Sequence, residues 1–295
     1  LIIAVSLPIS LVATFGLVAA GSANTNGSGG PWTFSKGVLP YGSANVGNGY
    51  LIGIECSING TGEVWPKAMT DALINGIAAH GEDYDDTFEG GPVHAGAVIV
   101  PAVLAIAEHR GLSGAQVQKG IAVGLELMCR MSLVTPEAIH KACFHPTAVL
   151  GAPAAAAGVA AALGLSPEKI AHAIGIAGSL ASGIIEYLAD GSWTKRLHAG
   201  SSAQSGIRAA LLAEAGFTGP ATVLEGNHGF YKAFAPSKKP NFSPLLEGLG
   251  SRFVLETIAF KPYACGTMTQ PFIDCAVELR RIGIKPDDIV SMVCN

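Results

Sequence analysis

The residues of this 295-residue chain that could do chemistry fall into a few short stretches. The densest is 80–98, where Glu82, Asp83, Asp85, Asp86 and Glu89 lie within eight positions, Thr87 stands among them, and His80 and His94 bracket the run. Only 14% of the chain is charged, so such a cluster is not background composition. Carboxylates this close repel, and a fold that holds them must supply donors, a cation or raised pKa values. That electrostatic pattern is expected of a functional site. The plainer alternative is a solvated acidic loop capping the next helix, which the apolar flanks 73–79 and 95–107 argue against.

Three further stretches stand out. In Phe144-His145-Pro146-Thr147 the proline holds His145 extended, just ahead of a helix N-terminus that favours anions. Between Gly191 and Gly200, three basic groups (Lys195, Arg196, His198) fall in four positions and lead into a helix. Phe260-Lys261-Pro262-Tyr263-Ala264-Cys265-Gly266 places Lys261 and Tyr263 at a strand end. Singly, each has an ordinary explanation: a hydrogen-bonded core histidine, a solvated turn, a surface strand end, a packed thiol. Together they supply two candidate bases (His94, His145), an acidic network (Asp83, Asp86, Thr87) and cations for carboxylates (Lys195, His198, Lys261). Those parts suit removal of a proton next to a carboxylate, which needs a base of suitable pKa and positive charge where the carbanion develops.

The elements that must position these residues read as mainly α. A helix over 67–80 delivers His80 and the acids at its C-terminal end. The segment 93–110 is apolar nearly all round, hence a buried helix, with a kink at Pro101 and a stop at Gly111. Further helices are expected from Ser113 to about Met131, briefly over 135–142, over the small-residue run 148–163, from the cap Ser166-Pro167 to Leu180, and over 200–215. Residues 51–58 suggest a short strand, and 21–50, rich in Gly, Ser, Asn and Pro, a loop. After Gly226 the composition shifts: 235–241 is a linker candidate, 253–260 a strand, 269–282 a helix and 289–294 the start of another strand. The expected organisation is a helical domain over 1–250 followed by part of a smaller α/β lid over 251–295, incomplete where the chain stops at Asn295. Residues 1–20 are uncharged and are expected to form a buried core helix, with a secretory or membrane-spanning segment as the alternative.

Composition narrows the function classes. At 49% hydrophobic residues and a mean hydropathy of +0.41, the chain should have a large packed interior and a buried subunit interface. A net charge of −4 argues against nucleic-acid binding, so an anionic substrate needs locally placed cations. Six scattered cysteines without a C-x-x-C pair suit a reducing, cytoplasmic compartment and no zinc site. Asp83-Tyr84-Asp85-Asp86 also fits the D-x-D-D motif of proton-initiated terpene cyclases, but a carbocation pocket needs aromatic walls and the chain is only 7% aromatic. A non-catalytic helical interaction protein leaves the Lys and His motifs unexplained. A metal site built from Asp83, Asp86, His94 and His145 matches no standard ligand spacing.

Five separated motifs resemble the signature of the MmgE/PrpD family: residues 75–80, Asp83 to Thr87 with His94, Phe144 to Thr147, Lys195 to Gly200 with Ala203, and Lys261 to Cys265. The resemblance runs from about residue 66 to the end and leaves 23–64 unmatched. That family includes 2-methylcitrate dehydratase, cis-aconitate decarboxylase and iminodisuccinate epimerase. The resemblance implies a large all-helical domain, a smaller α/β lid, a homodimer, no metal or organic cofactor, and a cytoplasmic location (mitochondrial in a eukaryote). It places the family's active-site acid, hydroxyl and histidine on Asp83, Thr87 and His94, a second histidine on His145, and its lysines on Lys195 and Lys261. The implied activity is a lyase that dehydrates or decarboxylates a small di- or tricarboxylic acid, with epimerisation at the same site as the alternative. On that reading Asp83 and Thr87 orient His94, and Lys195, His198, Lys261 and Tyr263 hold carboxylates.

Overall fold

The computed structural model describes residues 32–37, 51–56 and 67–293. Strands β1 (Trp32–Gly37) and β2 (Leu51–Cys56) pair antiparallel, Trp32 opposite Cys56 and Gly37 opposite Leu51. Among the described residues, the remaining regular structure is helical apart from one small ribbon. The helices are α1 (Lys67–Gly81), α2 (Gly96–Arg110), α3 (Gly114–Val134), α4 (Ala138–Lys141), α5 (Pro146–Ala162), α6 (Pro167–Leu180), α7 (Tyr187–Asp190), α8 (Thr194–Glu214), α9 (Phe230–Phe234), α10 (Ser243–Leu246) and α11 (Gln270–Arg281). Strands β3 (Asp86–Phe88) and β4 (Ile258–Phe260) form the ribbon, Asp86 opposite Phe260 and Phe88 opposite Ile258. The protein is thus mainly α, as its periodicity indicates.

α5 is the central post. All of its residues are buried, as its Ala, Gly, Val and Leu composition requires, and it packs against α3, α8, α6 and α2. α2 is apolar and almost wholly buried from Gly96 to Ala107, with Pro101 inside it, and only its charged last turn, Glu108 to Arg110, is exposed. Local signals set the helix ends. Ser113 and Gln116 form a reciprocal capping box on α3, Ser166 caps α6 ahead of Pro167, and Gly111 ends α2 in the left-handed conformation at φ 62. Each satisfies backbone groups that a helix end leaves bare.

The α1–α8 crossing matters most for function. A Cβ on Gly200 would lie 2.1 Å from the Leu73 carbonyl oxygen, and one on Gly76 would lie 2.5 Å from the Gly200 Cα. The two backbones touch, which only glycine allows. A second clasp joins the end of the chain to the helical body. Buried Arg130 bonds Glu126 at 2.6 Å and donates to the carbonyls of Pro244, Glu247 and Arg252. Glu126 in turn accepts from the backbone N–H groups of Val254 and Leu255.

Several expectations need correction. The presumed loop 21–50 contains β1. The strand expected over 253–260 is regular only at Ile258–Phe260, because a 3-10 turn, Val254–Thr257, precedes it and is held by Glu126. No strand forms over residues 289–293, most of which are exposed. The helix expected from Gly200 begins six residues earlier, at Thr194, so Lys195 and His198 sit on its first turns. β3, only three residues long and acidic, was not anticipated. The expectation for residues 1–20 lies outside the described residues. Among those described, no helix is long and apolar enough to cross a membrane.

Candidate active site

Five structural joints converge on one cluster: the C-terminal end of α1, the turn into β3, the entries to α5 and α8, and the residue after β4. α1 ends at His80, and the chain then turns through Asp83, whose backbone is left-handed at φ 54. Aspartate tolerates that conformation. Its carboxylate meets two ammonium groups, Lys261 Nζ at 2.7 Å and Lys195 Nζ at 2.9 Å. Lys261, nearly enclosed, also donates to the Asp83 carbonyl at 3.0 Å and to Asp85 Oδ1 at 3.0 Å. Two lysines that are 66 positions apart in sequence thus share one aspartate.

Asp85 is the inner carboxylate. Its side chain is fully buried, and it accepts from His80 Nδ1 at 2.5 Å and lies 3.8 Å from His94 Nδ1. Asp86 faces the other way, accepting from the Gly96 N–H at the start of α2 at 2.8 and 3.0 Å. His94 Nδ1 lies 2.7 Å from the Asp86 carbonyl. A carbonyl only accepts, so this contact puts the proton on Nδ1 and leaves Nε2 with its lone pair. The His94 backbone N–H donates to Thr147 Oγ1 at 3.1 Å, which ties it to the first turn of α5.

His145 caps the entry to α5 and shares a proton with His198, Nδ1 to Nδ1 at 3.1 Å. Its N–H donates to the Gly183 carbonyl at 2.9 Å. Gly183 has φ 122 and passes so close to Ala148 that a Cβ would meet that residue's Cβ at 2.6 Å. The result is a row of four imidazoles. Ring centroids are 5.3 Å apart for His94 and His80, 5.6 Å for His80 and His145, and 5.2 Å for His145 and His198. Tyr187 packs edge-on against the last two. A cleft of about 470 Å³ opens at that end, lined by Ser182, Tyr187, Asp190, Thr194, His198 and Ser201 among others. Of the residues singled out in the sequence, His198 alone lies in its wall.

Burial and charge set the protonation states. Burial lowers His94 to about 4, with His80 and Lys261 adding to the effect and Asp85 opposing it. Burial likewise lowers His198 to about 4 and His145 well below its ordinary value. Both rings are neutral at pH 7. Burial works to raise Asp83 and Asp85, but the cations beside them prevail and both stay ionised, with Asp85 held far below the usual carboxylate range. Asp86 lacks such partners; burial and the neighbouring Asp85 push it up to about 6. Lys261 stays charged, its carboxylates outweighing burial.

The structure therefore brings together Asp83, His94, His145, Lys195, His198 and Lys261. Two expected participants stand apart. The Thr87 hydroxyl accepts from Thr267 at 3.4 Å and does not contact His94. Tyr263 donates to Asp274 of α11 at 2.7 Å. Nor does Asp83 orient His94; the Asp86 carbonyl, Asp85 and Thr147 do. His80 and Asp85 were not among the residues singled out for a role. The signal for them was present, a histidine on the last turn of α1 five positions before an aspartate. Among the described residues, no group of three or more His, Cys, Asp or Glu side chains is arranged to hold a metal.

A helical body with a paired-lysine, multi-histidine cluster at the helix ends defines a class, and comparison with known proteins gives the family. The profile of the MmgE/PrpD N-terminal domain matches residues 48–243. The chain belongs to the MmgE/PrpD family. It is 32% identical over 238 residues to a human protein named cis-aconitate decarboxylase, covering 79% of this chain and 48% of that protein. It is 30% identical over 241 residues to the Aspergillus terreus protein of the same name, covering 77% and 48% respectively. The chain thus spans about half the length of the curated relatives it matches.

Proposed function

We propose that the protein is a lyase acting on a small di- or tricarboxylic acid, with loss of carbon dioxide as the leading reaction and loss of water as the alternative. One observation carries this reading: Lys195 and Lys261 meet on Asp83 beside four packed imidazoles. The name shared by the relatives from human and Aspergillus terreus favours decarboxylation.

Lys195 and Asp83 form the accessible rim of the cluster, with side chains 28% and 25% exposed, whereas Lys261 forms its floor at 1%. A substrate carboxylate competes with Asp83 for the Lys195 ammonium. The negative charge it brings lifts the neighbouring imidazoles back toward the range in which they exchange protons near neutrality. In decarboxylation the carbon–carboxylate bond breaks, carbon dioxide leaves, and the electron pair passes into the adjacent conjugated system. The carbon skeleton then takes a proton from an imidazolium, His94 or His145. In dehydration the same imidazole removes a proton next to a carboxylate, and the leaving hydroxyl departs as water with a proton from the site. In either case the lysines stabilise the carbanionic charge. Epimerisation would use the first half of the dehydration and return the proton to the opposite face. We further propose that the protein works as a homodimer. Ile184 and Leu197 in the cleft wall, and Leu188 and Trp193 in the same stretch of chain, are exposed apolar side chains that suit a second copy.

Incubation with cis-aconitate, citrate and 2-methylcitrate in deuterated buffer, followed by NMR, separates these reactions. Decarboxylation yields carbon dioxide and one new C–D bond, dehydration yields an alkene, and epimerisation yields exchange without loss of atoms. Absence of all three with every substrate would refute the lyase reading.

A further inference from the structure

His80 has no assigned part in the chemistry above, yet it lies at the centre of the imidazole row. Its ring sits between His94 and His145, at 5.3 and 5.6 Å. Its Nδ1 is bound to Asp85 at 2.5 Å, with both side chains fully buried, and its Nε2 is buried without a hydrogen-bond partner. The four rings do not compete equally for a proton. His80 alone has a carboxylate oxygen within hydrogen-bonding distance. The nearest carboxylate oxygen to His94 is 3.8 Å away, and His145 and His198 have each other. A proton added to this cluster goes to the ring whose charge is directly compensated. Once there, it opposes protonation of the rings on either side.

We propose that His80 is a positioning residue: clamped on Asp85, it holds the cluster's resident proton and thereby keeps His94 and His145 unprotonated until a substrate carboxylate binds. The part about substrate rests on the lyase reading; the charge distribution does not. The groups facing His80 from each neighbouring element are consistent with it. The β3 turn brings Asp83, Asp85 and Asp86, and α2 is entered through His94. α5 is entered through His145, α8 brings Lys195 and His198, and the residue after β4 is Lys261. Asp83 and Asp85 balance Lys195 and Lys261, and a positive charge on His80 offsets Asp86, which at about 6 is largely ionised at pH 7, so the cluster presents no net negative charge to a polycarboxylate. The lowering of His94, His145 and His198 runs the same way: burial is the first cause of each, and the charge of His80 adds to it.

The test needs no turnover. Nitrogen-15 spectra of histidine-labelled protein at pH 7 report each ring's charge, with the His80 signals assigned through His80→Asn. We expect His80 to show both nitrogens protonated and His94 and His145 to show neutral rings. A neutral His80, or a charged His94 or His145, overturns the proposal. In His80→Asn the amide keeps a donor to Asp85 but carries no charge, so His94 and His145 should titrate at least one pH unit higher than in the wild type. The pH profile of kcat/KM should shift upward with them. Unmoved titrations in a folded variant would reduce His80 to a structural role. If the wild type turns over no carboxylic acid but the spectra are as expected, the lyase reading fails and the charge assignment stands. Should His80→Asn fail to fold, the wild-type spectra, assigned through His94→Asn and His145→Asn, still decide.

Discussion

Gly200→Ala is the sharpest probe of how the fold positions the site. The new methyl carbon would lie 2.1 Å from the Leu73 carbonyl oxygen and 3.0 Å from Ile77 Cγ1 and the Ile77 backbone nitrogen. Ordinary contact begins at 3.4 Å, a shortfall of about 1.3 Å at the Leu73 carbonyl. The obstacle there is main chain inside a helix, which has no rotamer to change. Helices α1 and α8 must therefore separate by about 1 Å. Overpacking a filled interior costs roughly 1–3 kcal/mol, and with rigid backbone on both sides the upper end applies, about 3 kcal/mol. At roughly 2–4 °C per kcal/mol for a domain of this size, Tm should fall by about 6–12 °C. His80 lies one turn beyond Gly76 on α1, while His198 and Lys195 lie within two turns of Gly200 on α8, so the separation pulls directly on the cluster. A displacement of that size should lower kcat/KM on the order of 10²-fold. Denaturant unfolding and a calorimetric scan measure the first effect, and steady-state kinetics the second. Gly114→Ala, where an added Cβ meets nothing within 4 Å, is the control and should be near neutral. If Gly200→Ala were as stable as the control, the glycine-to-glycine crossing would not be the constraint described here.

Further outcomes follow from the same geometry. Lys261→Met removes the buried cation between Asp83 and Asp85, and breaking such a pair typically costs about 3–5 kcal/mol; unfolding at pH 7 should show it, and a loss below 1 kcal/mol would contradict the buried bridge. Stability should fall as pH drops from about 6.5 to about 4. His94 and His198 titrate near 4 when folded and His145 lower still, so over that window the unfolded chain binds more protons. Asp86, raised to about 6, acts in the opposite sense, its contribution to stability fading as pH rises through 6. Three groups against one should set the net sign, and a stability that rose on acidification to pH 5 would contradict these assignments. Light scattering should give twice the protomer mass, with Trp193→Asp and Leu188→Asp together shifting it toward the protomer. A wild-type protein of protomer mass at micromolar concentration would count against the dimer.

Much of this arrangement was legible in the sequence where the signal is local. Ser113 with Gln116, Ser166 with Pro167, and Gly111 mark helix ends through their own hydrogen bonds, so a single sequence shows them. The wholly apolar runs of α2 and α5 announce burial in the same way. What was not legible depends on distant partners. β3 exists because Asp86 and Phe88 pair with residues 174 and 170 positions later, and no property of three acidic-flanked residues reveals that. The start of α8 was placed too late because Gly191 to Gly200 looks like a flexible frame. Its second glycine in fact serves the contact with α1 rather than a turn. Within the acidic run, composition cannot rank carboxylates. Asp85 turns inward to His80 and Lys261, Asp86 bonds the start of α2, and Thr87 alternates to the opposite face of β3 toward Thr267. Those directions come from strand alternation and from the turn at Asp83, neither of which shows until the strand is known.

The central claim is that Lys195 and Lys261, with the histidine row, form one receptor for a polycarboxylate. Calorimetric titration of cis-aconitate into the wild type and into Lys195→Met tests it most directly, because Lys195 is the cation at the accessible rim. The account requires saturable binding by the wild type that weakens at least tenfold in the variant and declines with added salt. Equal affinity in the two proteins, or no binding by the wild type, would contradict it.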